Sequence, residues 1–200
     1  LIGRYTESAN DEKVQKHVAR IKSKVREMTS MLNEFLSLER IEQGHVVCSP
    51  VDLNIVHLCI EMIEELRTLA KSGQAIDYDH AGDDRNAVLD RQMLSNIISN
   101  LVTNAVKYSP EGKHVELRTA ITGGKLIITV LDEGMGIPAD DQQHLFERFF
   151  RGSNATTIQG TGLGLNIVKR YLELMNGSIR FESAPGRTLF TVELPQHLPA

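Results

Sequence analysis

The stretch NLVTNAVKYS at residues 100–109 decides how the chain is read. Asn96, Asn100 and Asn104 recur every four residues, with Lys107 and Tyr108 three and four beyond, so a helix would carry all five along one face. Asparagine is a mediocre helix former because its short amide competes for the backbone. Its repeated use points to a purpose other than helix stability. The side-chain carbonyl of Asn104 suits Mg²⁺, a hard ion that completes its shell with phosphate oxygens and water. Lys107 would add positive charge beside those phosphates, and the plain alternative is a wet polar face. The helix is predicted from about Arg91 to Tyr108, with Asp90 as its cap and Pro110 just beyond its end.

Downstream, Val115–Ile121 and Lys125–Leu131 are β-rich runs joined at Gly123-Gly124, which reads as a hairpin. The second run leads into DEGMG at 132–136, where Asp132 is followed by Gly134 and Gly136. By itself the pattern is weak, and a strand-end turn is its plainer explanation. The functional reading has Asp132 accept a hydrogen bond from the exocyclic amine of adenine, which guanine could not donate. GTGLGL at 160–165 opens a helix predicted from about Gly162 to Met175, and amide groups at a glycine-rich helix start form an anion site. Its spacing is neither the dinucleotide fingerprint nor a P-loop. Between the two glycine groups lie Ala139 to Gln159, including LFERFFR at 145–151. A loop this long is usually functional or disordered. Phe146, Phe149 and Phe150 are either core residues or part of a lid, and Arg148 or Arg151 could reach a terminal phosphate. Strands are expected at about 178–183 and 189–194, turning at Pro185-Gly186.

Upstream, a helix is expected over Asp52 to Lys71 with Asp52 as its cap, followed by short strands at 74–79 and 86–89. Helices on one face of a mostly antiparallel sheet make an α+β, two-layer sandwich. Before a boundary near residues 43–50, apolar residues fall at Val14, Val18, Ile21, Val25, Met28, Leu32 and Phe35 in alternating steps of four and three. That period suits a bundle seam and self-association, and the plain alternative is a helix lying on its own domain. Leu1 to Tyr5 reads as the last turn of an earlier helix and Thr6 to Asp11 as a connecting turn. In the 200 residues, 26 acids against 22 Lys+Arg give a charge of −4, so no basic field points to nucleic acid or a membrane surface. No apolar run approaches the roughly 20 residues that span a bilayer. Two cysteines make no disulfide framework and fit a reducing compartment.

In this order, the four segments resemble the ATP-binding catalytic domain of sensor histidine kinases. Residues 100–109 look like the family's N box, 132–136 its G1 box, FERFFR at 146–151 its F box and 160–165 its G2 box. APGRTLFTVELP at 184–195 is similar to its last glycine motif, reduced here to Gly186. The resemblance implies the Bergerat (GHKL) α/β sandwich over 46–200, with 1–45 a partial dimerisation hairpin, mainly its second helix. It implies ATP and Mg²⁺ as cofactors, with Asn104 on the metal and Asp132 on adenine. Residues 137–161, from Ile137, become the ATP lid. Asn100, Lys107, Arg148 and Arg151 are then the catalytic polar groups. Tyr108, Gly134, Gly136, Ile137, Phe146, Gly160, Thr161, Gly162, Leu163, Gly164 and Leu165 line the nucleotide.

The implied reaction is transfer of the γ-phosphoryl group to a histidine on the hairpin, for relay to a response regulator aspartate. The implied partners are a receiver domain and a second copy of the chain. The family's H-E-x-R-T-P-like acceptor motif does not occur; His17, in KHVAR, is not its equivalent, and the piece is expected to begin downstream of the acceptor. Gyrase- and chaperone-type ATPases carry a glutamate at the place of Asn100, whose neutral amide is a poor general base. Serine kinases of the anti-sigma type lack the heptad helix, and a dimerising scaffold with a degenerate site would not need Asn104, Asp132 and the glycine loops. The chain is expected to be a cytoplasmic portion joined to upstream sensory or membrane segments.

Overall fold

The computed structural model describes residues 12–198. By its internal contacts the chain divides into two units, Leu1–His45 and Val46–Ala200. In the first, helix α1 (Glu12–Glu42) leaves Ile21, Val25, Met28 and Leu32 largely exposed, the middle of the predicted seam. His17 is exposed on the same helix. Gly44 at φ +69° ends α1, and the amides of Gly44 and His45 return to the carbonyls of Ile41 and Arg40. The turn and helix end expected within 1–11 lie outside the described residues.

The second unit begins with β1 (Val51–Asn54), and here the expected cap is corrected. β1 pairs antiparallel with β3 (Asn86–Leu89), drawing Asp52 into a strand where Asn86 donates to its carboxylate at 3.2 Å. The following helix, α2 (Ile55–Leu66), starts three residues later than expected and is capped by Asn54, which accepts from the His57 amide at 2.9 Å. A 3-10 turn, Arg67–Leu69, closes it short of Lys71. Next come β2 (Ala75–Ala81) and α3 (Arg91–Tyr108), whose predicted cap holds: Asp90 accepts from the Met93 amide at 2.9 Å.

The hairpin β4 (His114–Thr122) and β5 (Lys125–Asp132) turns at Gly123 and Gly124, both at positive φ as a two-residue hairpin turn requires. After the short α4 (Ala139–Gln142) and a 3-10 turn at Ser153–Ala155 come α5 (Gly164–Leu174), β6 (Ser178–Ala184) and β7 (Arg187–Pro195). The five-stranded sheet runs β2-β4-β5-β7-β6, parallel only between β2 and β4. In register across it, Leu117, Val130 and Phe190 form one buried row and Leu126 with Leu194 another. Helices α2, α3 and α5 cover that face, giving the expected two-layer α/β sandwich. No helix among the described residues is long and apolar enough to cross a membrane. Cys48 and Cys59 are both free thiols.

Candidate functional site

The second glycine loop lies directly on the polar face of α3. A Cβ built on Gly164 would stand 2.6 Å from Asn100 Oδ1, and one built on Gly160 would collide with Lys107 Nζ. Gly162, at φ +75°, leaves no room for a side chain against the backbone of Phe149 and Phe150. Because Gly162 is left-handed, α5 starts at Gly164 rather than near Gly162. Leu163 then occupies the cap with no side-chain hydrogen bond, its own amide bonded to Thr161 Oγ1 at 3.1 Å. The first amides of α5 are therefore without a side-chain cap. On α3, Asn100 donates back to the Asn96 carbonyl at 2.9 Å, and Lys107 Nζ sits 5.0 Å from the Tyr108 ring centre. The Asn104 side chain makes no hydrogen bond among the described residues.

Asp132 ends β5 beside the C-terminal end of α3 and is 5% exposed. Its Oδ1 accepts from the Gly134 amide at 2.8 Å. Burial pushes its carboxyl up to about 6, against that hydrogen bond, which lowers it. A Cβ on Gly134 would lie 2.5 Å from Asp132 Oδ1 and 2.9 Å from the Tyr108 carbonyl. One on Gly136, at φ +75°, would lie 2.5 Å from the Ala184 carbonyl oxygen. Ile137 follows, its amide bonded to Ser183 Oγ at 2.9 Å.

The long segment between the loops is folded and tied down. Phe146 meets Phe181 of β6 edge-on at 6.0 Å, and its carbonyl accepts from Asn166 of α5 at 2.8 Å. Asp141 Oδ2 accepts from both the amide and the hydroxyl of Ser153, at 2.7 and 2.8 Å. Arg151 donates to the carbonyls of Ala155 and Thr156, each at 3.1 Å, and to that of Ile158. Its charge also offsets part of the upward shift that burial gives the Tyr108 phenol. Phe149 is 60% exposed with its backbone at φ +60°, whereas Phe150 leans on His144 at 5.7 Å. Arg148 is exposed on the same segment.

The pattern of the family described as histidine kinase-, DNA gyrase B- and HSP90-like ATPase matches residues 89–198, more than half of the chain. The chain belongs to that ATPase family. It is 32% identical over 194 residues to the sensor-like histidine kinase SenX3 of Mycolicibacterium smegmatis, which covers 95% of this chain and 50% of that protein. The chain thus spans about half the length of these curated relatives. The crystal structure of full-length ShkA in complex with AMPPNP superposes with a TM-score of 0.81 at 26% identity, over 95% of this chain and 40% of that one. Histidine kinase ThkA, solved with the response regulator protein TrrA, shares the fold at TM-score 0.73 and 21% identity, over 98% of this chain and 56% of that one.

Within this ATPase-family domain, the fold brings Asn100, Lys107, Tyr108 and the 160–164 loop together, and sets Asp132, Gly134 and Gly136 at the end of the same helix. Arg151 is engaged with carbonyls of its own segment. Sequence reasoning missed two buried hydroxyls next to Asp132. Ser109 lies beside it at the end of α3, and Thr188 pairs with it across β5 and β7. Alternation along β7 points Thr188 inward and was the available signal for it. Also missed was Lys71, whose bonds appear only in the folded chain.

Proposed function

We propose that this chain is the catalytic core of a sensor histidine kinase, which binds Mg-ATP and passes the γ-phosphoryl group to a histidine on a dimerisation hairpin. The observation that carries the reading is the seating of the Gly160–Gly164 loop on the Asn100–Lys107 face of α3, with Asp132 buried at the end of that helix. Asp132 accepts from the adenine amine, and Gly134 and Gly136 let the backbone approach the base. The uncapped amides at the start of α5 and the Lys107 ammonium take the phosphates. The unengaged carbonyl of Asn104 fits Mg²⁺, which supplies charge neutralisation on the phosphate oxygens. Residues 137–161 form the lid, with Arg148 and Arg151 as its cations.

Asn100 separates this reading from a water-splitting ATPase. Its amide binds the Asn96 carbonyl and offers no general base, which favours transfer to another nucleophile. The likeness to SenX3 and to ShkA with AMPPNP supports a kinase that uses ATP, and the ThkA complex supports a response regulator receiver domain as partner. Residues 1–45 then belong to the dimerisation hairpin, with the exposed seam of α1 as the homodimer surface, and 46–200 form the catalytic domain of a cytoplasmic portion. Calorimetry with ATP and GTP, with and without Mg²⁺, tests the site on the chain and on Asp132→Asn. Mg²⁺-dependent ATP binding that excludes GTP and weakens in the variant is expected. Equal binding of GTP, or none of ATP, would sink the reading.

A further inference from the structure

Lys71 follows the 3-10 turn after α2 and belongs to none of the motifs. Its Nζ donates to the carbonyl of Lys107 at 2.7 Å and to that of Ser109 at 2.6 Å. Beside it, Gln74 Oε1 accepts from the Lys71 amide at 3.0 Å, and Gln74 Nε2 donates to the Val106 carbonyl at 3.2 Å. Three carbonyls at the C-terminal end of α3 are thus taken by one loop. The end of a helix carries roughly half a negative charge on such carbonyls. This end also bears Lys107, whose ammonium abuts Gly160. A negative pole is a poor neighbour for polyphosphate, and an ammonium on two of its carbonyls offsets it.

We propose that Lys71 is a positioning residue for the phosphate end of the nucleotide: it caps α3, offsets the helix's negative pole and fixes the backbone that carries Lys107. The inference rests on the nucleotide reading above. It touches no phosphate itself; it acts through the helix end.

Calorimetry of the 200-residue chain with ATP and with adenosine, which lacks the phosphates, tests it on Lys71→Met and Lys71→Arg. Lys71→Met should weaken ATP about tenfold and adenosine by no more than about twofold. Lys71→Arg, which keeps the charge, should recover most of the loss. An unchanged ATP affinity overturns the proposal, as does equal weakening of both ligands, the mark of a merely structural role. Should Lys71→Met fail to fold, Lys71→Gln, with a donor but no charge, carries the same comparison. If the unmodified chain binds neither ligand, the nucleotide reading fails by itself. Lys71 is then judged by amide exchange at 107–109, and exchange no faster in the variant overturns it.

Discussion

The two glycine loops look alike as text and are held in different ways. Gly134 and Gly136 are enclosed mainly by backbone: the Tyr108 carbonyl on one side, the Ala184 carbonyl and Pro185 nitrogen on the other. The Gly186 amide closes the turn on the Gly134 carbonyl at 2.9 Å. Gly160 and Gly164 instead rest on side chains, Lys107 and Asn100, which can rotate away. The first loop is thus closed by the backbone around it, and the second, apart from Gly162 against the Phe149–Phe150 backbone, by side chains of α3. A glycine pattern alone does not say which.

Substitutions can break this contrast. Gly136→Ala should cost most, about 3 kcal/mol of stability by denaturant titration, because both its φ and the facing backbone forbid a Cβ. A loss below about 1 kcal/mol would show that the first loop is as yielding as the second.

Asp132→Asn comes next, with the opposite sign. The folded carboxyl sits at about 6 against an ordinary 3.8, so the stability this group contributes is full below the lower value and is lost as pH rises through the upper one. At pH 8 the variant should therefore be more stable by about 2 kcal/mol without nucleotide, and its stability should vary less across that window. In the unsubstituted chain, ATP affinity should fall as pH drops through about 6, where the acceptor becomes protonated. A flat affinity profile from pH 7.5 to 5 would remove Asp132 from the site.

Gly164→Ala should cost least, under about 1 kcal/mol of stability, yet weaken ATP about tenfold through the displaced Asn100. Denaturation and calorimetry on the same variant check the split. A large stability loss would make the second loop structural after all.

How much of this was legible follows from the range of the forces involved. The cap at Asp90, the Gly123-Gly124 turn and the faces of α3 are set within a few residues, and the text carries them. Asp52 misled because its rival is long-range: pairing with β3, far along the chain, outweighs a local cap. The Lys71 clamp joins residues 36 and 38 positions apart, and no spacing rule announces it. The charge of Arg151 suggests a phosphate contact but does not announce that its Nη2 also meets carbonyls four to seven residues ahead. Those carbonyls are aimed by a turn that periodicity does not encode.

That turn has a kinetic side. With Ala155, Thr156 and Ile158 gathered on one guanidinium and Ser153 on Asp141, the segment has few ways to peel open residue by residue. In the lid proposed above, residues 151–158 would move together with Asp141 rather than one at a time. Traffic past them should follow a single exchange rate on the microsecond to millisecond scale rather than a spread of fraying steps.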